Sequence, residues 1–224
     1  MKKVLLLIIA LTMLLLSCVT IMAAPQTAVS DKNPNKVVNH SCGSMTKIPV
    51  SRIPYDVTIL FLRKNQMTST DGIQKIPFSD LKLLDFSSNQ LADLKGLRKA
   101  NLNNVIILTL FDNKLTSLAD MPSELPNLEE LYLTGNRRTT LDWPENINFP
   151  NLKYLLIADN QLTSLEGLHY ANMPNLVELN VRKNSLTAKA LLEAPWEKLP
   201  NLSCLILPES INENDREQIE RAVT

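Results

Sequence analysis

The chain has 224 residues, 45% of them hydrophobic and 21% charged, with 23 Lys and Arg against 23 Asp and Glu. That length suits one large domain or two small ones. The balanced charge leaves no basic excess to hold nucleic acid or an anionic membrane surface, so neither is an expected partner.

At the N-terminus Lys2 and Lys3 precede an apolar run from Val4 to Leu16 broken only by Thr12. A charged start followed by a short apolar stretch is the pattern of a secretory signal peptide, here residues 1–24 with cleavage near Ala23 or Ala24. Leu15, Leu16, Ser17 and Cys18 also allow a lipoprotein leader that ends before a lipidated Cys18, and an uncleaved membrane anchor from Val4 to Ala24 is a third alternative. Export to the cell envelope, the periplasm or the medium is expected, and contact with a membrane only through Cys18 or a retained leader. Residues 25–41 are polar, with Pro, Asn and Lys, and read as a tether. Residues 42–56 contain Ile48-Pro49 and Ile53-Pro54 directly before the first predicted strand. Cys42 lies before the first predicted strand and Cys204 in the seventh. Six inter-strand steps of about 4.8 Å separate the two by about 29 Å, far beyond the ~7 Å reach of a disulfide.

From residue 57 to 207 one frame recurs. Asn65, Asn89, Asn113, Asn136, Asn160 and Asn184 follow one another at steps of 24, 24, 23, 24 and 24 residues. Each is preceded by spaced apolar residues, as in Leu128, Leu131 and Leu133 before Asn136, and Leu152, Leu155 and Ile157 before Asn160. A seventh copy, Leu202, Leu205 and Leu207, has Pro208 and Ser210 where the Asn would follow. Two apolar residues separated by one, such as Leu108 and Leu110, point to the same side of an extended segment. No single copy can bury its own leucines, so neighbouring copies must stack and share one apolar column. An amide flanked by core leucines is costly unless its donors and acceptors are met. The asparagines are therefore expected to form a structural ladder that bonds backbone groups at each turn.

The frame resembles the leucine-rich repeat family, whose LxxLxLxxNxL pattern recurs every 20 to 29 residues; the resemblance is to extracellular-type repeats of a bacterial, exported protein. It implies an α/β-type solenoid: a curved parallel sheet of about seven short strands on the concave side, an irregular or 3₁₀ convex side, an N-terminal cap over residues 42–56 that the Ile-Pro pairs resemble, and protein recognition as the class of function. Between repeats the phrases Leu125-Pro126-Asn127, Phe149-Pro150-Asn151, Met173-Pro174-Asn175 and Leu199-Pro200-Asn201 place an apolar plug, a helix stop and a turn former before each strand. Arg138 stands where a leucine is expected, and the longer segment from Ala188 to Trp196 predicts a short helix or bulge. In residues 208–224, Asn214 followed by Glu217 resembles a capping box, with Ile219, Ala222 and Val223 at helical spacing; a short capping helix is expected.

Catalytic signatures are missing. Two histidines, His40 and His169, build neither an HExxH zinc site nor a triad, and GxSxG, Walker A, GxGxxG and CxxC are absent. The protein is read as a non-enzyme with no cofactor and no metal. Asp85, Asp112, Asp159 and Glu130 read as solvated positions on or beside the strands. The informative residues alternate with the core leucines and so face the concave side: Phe61, Arg63, Asp85, Thr109, Phe111, Tyr132, Tyr154, Leu156, Asn180 and Arg182. Aromatic and apolar residues grouped on an open face mark a binding surface. A protein or peptide ligand on this face is the expected partner, with the protein itself a monomer. The alternative is a structural component of the envelope, held by a lipid on Cys18.

Overall fold

The structure, a computed structural model, describes residues 36–223. The leader, Cys18 and most of the tether lie outside the described residues. Paired apolar residues of the frame become three-residue strands: β2 (Ile59–Phe61), β3 (Leu83–Asp85), β4 (Ile107–Thr109), β5 (Glu130–Tyr132), β7 (Tyr154–Leu156), β9 (Glu178–Asn180) and β10 (Cys204–Ile206). With β1 (Val37–Asn39) they form one curved parallel sheet in the order β1-β2-β3-β4-β5-β7-β9-β10. Leu60, Leu84, Leu108, Leu131, Leu155 and Leu179 stand in one row across that sheet, each fully buried. A solvent-inaccessible aliphatic side chain contributes about 1.5–3 kcal/mol, so the stacked row is a main source of stability.

The sheet starts one repeat earlier than the leucines show. β1 falls in the segment read as tether, and its register with β2 puts Val38 beside Leu60. The pairing continues, His40 N–H donating to Phe61 O and Cys42 N–H to Arg63 O. Gly43 thus occupies the ladder position, and Met45 N–H donates to Asn65 Oδ1 at 3.2 Å. Residues 37–45 are a degenerate repeat in which Val, His, Gly and Met replace Leu, Leu, Asn and Leu. Ile48 and Ile53 of the cap are buried behind it. Cys42 is disulfide-bonded and Cys204 is free and exposed, so these two do not pair.

The asparagine ladder forms as expected. Asn113 Nδ2 donates to Phe86 O and Leu110 O, both at 3.1 Å, and its Oδ1 accepts from Leu91 N–H at 3.0 Å. Asn89, Asn136 and Asn160 repeat the pattern. The residue before each ladder Asn is left-handed: Lys64, Ser88, Asp112, Gly135, Asp159 and Lys183 all have φ between 51° and 69°. Only Gly135, which has no Cβ, is the residue type suited to this conformation. A second, outer ladder uses the Pro-Asn phrases, with Asn127, Asn151, Asn175 and Asn201 each donating Nδ2 to a carbonyl of the preceding repeat at 2.6–2.8 Å. The plugs Leu125, Phe149, Met173 and Leu199 are buried.

The convex side holds 3₁₀ turns at Val50–Arg52, Ile73–Lys75, Glu166–Tyr170 and Trp196–Lys198, with two short helices, α1 (Lys95–Arg98) and α2 (Ala188–Leu192). The last of these fills the long segment after Asn184, where Thr187 Oγ1 caps it by accepting from Ala190 N–H. A two-stranded convex sheet joins β6 (Ile147–Asn148) to β8 (Ala171–Asn172). Arg138 takes the place of the missing leucine, fully buried, with Nη2 donating to Thr140 O and to Asp142 Oδ1. Burial lowers its pKa to about 10, which leaves it charged at neutral pH. The C-terminal helix α3 (Glu213–Val223) packs on α2 and the Trp196–Lys198 turn and buries Ile219. Its cap lies two residues earlier than the expected Asn214: Asn212 Oδ1 accepts from Asp215 N–H, and Asn212 Nδ2 donates to the Asp215 carboxylate.

Candidate concave binding face

Strand register fixes which side chains share the open face. Asn39, Phe61, Asp85, Thr109, Tyr132, Leu156, Asn180 and Ile206 stand in one row. A parallel row runs through Ile59, Leu83, Ile107, Glu130, Tyr154, Glu178 and Cys204. These are the rows that the alternation predicts.

Depth divides them. Phe61, Phe111, Tyr132, Tyr154, Leu156 and Asn180 are half-buried, and Arg182 is exposed. Arg63, Asp85 and Thr109 lie on the same face but are buried, Asp85 and Thr109 to 1% exposure. Glu130 is buried as well, so Asp85 and Glu130 depart from the solvated positions expected of them, while Asp112 and Asp159 are exposed. Short side chains at the floor of a curved sheet are overtopped by longer neighbours, and here Phe61 and Tyr132 bracket Asp85 and Thr109 in the row.

The buried polar groups are partly compensated. Asp85 Oδ1 accepts from Ser87 N–H at 2.8 Å and from the Ser87 hydroxyl. The Arg63 guanidinium stands 5.4 Å from the centroid of the Phe61 ring, within cation–π range. Tyr132 Oη donates to Glu130 Oε2 at 2.6 Å. Desolvation nevertheless raises the pKa of Asp85, Glu130 and Glu178. It also raises that of Tyr132, to which the Glu130 hydrogen bond adds. Arg182, at the C-terminal end of the face, is ion-paired with Glu209.

A carboxyl whose pKa is raised on folding binds its proton more tightly in the folded chain than in the unfolded one. Stability therefore falls as pH rises from the ordinary aspartate range through the folded pKa, and the penalty is complete above it. Asp85→Asn keeps the Oδ1 acceptor and removes the charge. It is expected to raise the urea midpoint at neutral pH, with the gain shrinking as the solution is acidified into the ordinary aspartate range. A lower midpoint at neutral pH would mean that the carboxylate is a net stabiliser.

Eight parallel rungs, a buried asparagine ladder and an irregular outer side together define a leucine-rich repeat solenoid. Residues 150–194 match the family described as Leucine Rich repeats (2 copies). Among solved structures the chain is similar to an internalin (inlF) from Listeria monocytogenes, at 18% identity and a TM-score of 0.60, covering 83% of this chain and 51% of that one. It is also similar to an internalin C2 (inlC2) from the same organism, at 22% identity and a TM-score of 0.54, covering 77% and 79%. This chain thus spans about half the length of the inlF protein, and at these identities the likeness is one of fold. No curated protein matches the chain. Among the described residues no cluster of His, Cys, Asp and Glu is arranged to hold a metal, and no helix is long and apolar enough to cross a membrane.

Proposed function

We propose that the protein is an exported, non-enzymatic recognition module that binds a protein or peptide partner on its concave sheet. One observation carries the reading: Phe111, Tyr132 and Tyr154 lie on three adjacent strands or their immediate continuations, on one open face, each half-buried. Aromatic side chains held this way give a large contact area at low conformational cost and dominate interface energetics. The leucine-rich repeat fold is typical of interaction modules, and the Lys2-Lys3 start with its apolar run supports export. Leu156 and Asn180 extend the patch towards Arg182, which supplies a polar rim. Arg63, Asp85 and Thr109 support the patch from below.

The test is crosslinking of the exported protein in its native setting, identification of what it holds, and repetition with Phe111, Tyr132 and Tyr154 all replaced by Ser. We expect affinity for the identified partner to fall at least ~100-fold with an unchanged circular dichroism spectrum. Undiminished capture by the triple variant would remove the concave face from the reading.

A further inference from the structure

A different surface carries a site of its own. Tyr170 ends the 3₁₀ turn Glu166–Tyr170 on the convex side and is 67% exposed. A single exposed aromatic residue is unremarkable on any surface, but this one borders two clefts, of about 420 and 370 Å³. The larger cleft presents the amides of Asn148 and Asn172 on the paired strands β6 and β8. Asn172 Nδ2 donates to Asn148 Oδ1 at 2.7 Å. That bond uses the oxygen of one amide and the nitrogen of the other, which leaves the Asn148 nitrogen as a donor and the Asn172 oxygen as an acceptor on two residues that line the same cleft. The smaller cleft continues the lining past Tyr170 to Trp143 and the Ser164 hydroxyl.

We propose that this pair of clefts is a binding site for a neutral oligosaccharide. A sugar ring has an apolar C–H face that stacks on an aromatic ring, and hydroxyls at its edge that both donate and accept. Tyr170 offers the platform, and the Asn148–Asn172 pair offers one complementary donor and one acceptor. Charge selects no ion: Lys198 borders one cleft and Glu166 the other, while Asp142 is already paired with Arg138. Both clefts are shallow and open to solvent. They hold a flat, hydrated ligand better than a compact apolar one, which needs enclosure on most sides.

The test uses the isotope-labelled full chain, titrated by NMR with chitotetraose, cellotetraose and maltotetraose, and with tetraalanine as the peptide control. One saccharide is expected to shift the resonances of Asn148, Tyr170 and Asn172 with a Kd on the order of 1 mM, leaving those of Tyr132 and Tyr154 in place. Tyr170→Ala, at an exposed position where folding is not at stake, should weaken that binding at least ~10-fold, and Asn172→Ala should weaken it too. Absence of shifts with all three saccharides, shifts that survive Tyr170→Ala, or shifts in the clefts caused by tetraalanine instead would each overturn the assignment. None of these outcomes depends on whether the concave face holds a partner.

Discussion

Asn113→Ala is expected to lower the free energy of unfolding by about 3 kcal/mol, which for a chain of this size lowers the Tm by roughly 6–12 °C. The amide lies in the middle of the ladder at 7% exposure. Removing it strands Leu91 N–H and takes one donor from Phe86 O and Leu110 O, in places that water does not reach. Leaving such groups unmet is what makes the loss large, since an ordinary hydrogen bond contributes only about 1 kcal/mol net. Two comparisons fix the cause. Asn127→Ala, in the exposed outer ladder, should cost no more than about 1 kcal/mol, and the half-buried Asn184 should fall between. Equal losses at Asn113 and Asn127 in thermal or urea unfolding would show that burial is not what gives the inner ladder its value.

Gly167→Ala is expected to destabilise by about 2–4 kcal/mol, and Gly96→Ala by a similar amount. A Cβ built on Gly167 would stand 1.9 Å from Leu141 O and 2.6 Å from Leu141 Cβ; one on Gly96 would stand 2.0 Å from Thr70 O. The obstacle in both cases is backbone of the preceding repeat, which no side-chain rotation can clear. Gly96 also lies where its own N–H and that of Leu97 donate to Thr70 Oγ1, so that the preceding repeat caps helix α1. Local propensity predicts the opposite sign, because Ala is favoured over Gly in a helix by about 1 kcal/mol. A raised urea midpoint for Gly96→Ala would show that the repeats are looser on their convex side than these distances require.

The period of the asparagines and the spacing of the leucines were enough to predict the sheet, its register, the ladder and the plugs, because one side of each strand must be apolar and the amide must be met. Three kinds of feature were not legible. The first repeat is hidden because Val38, His40, Gly43 and Met45 keep its geometry without its letters. The left-handed turn before each ladder Asn is filled by Lys64, Ser88, Asp112, Asp159 and Lys183, so one glycine, Gly135, was its only sign. Depth on the concave face is the third, since Asp85 and Glu130 are buried on the side that alternation marks as open. Alternation tells which side a residue faces, whereas its exposure depends on the bulk of neighbours a whole repeat away. The charge pattern along the face changes accordingly: Arg63 sits beneath the surface and Arg182 is engaged by Glu209, so the half-buried rings are what the face chiefly offers.

The ladder also has a sense of direction. Each amide reaches back, from Asn89 to Leu62 O and Met67 N–H, and from Asn184 to Ile157 O and Leu162 N–H, so every coil is clasped by the one that follows it. Asn65 clasps even the degenerate opening coil. The coil that carries Asn184 has no successor able to do the same, since Ser210 stands where the next amide belongs. Left to itself the solenoid would ravel from that end alone, like knitting from its last row, and α2 and α3 are the selvedge that binds it off.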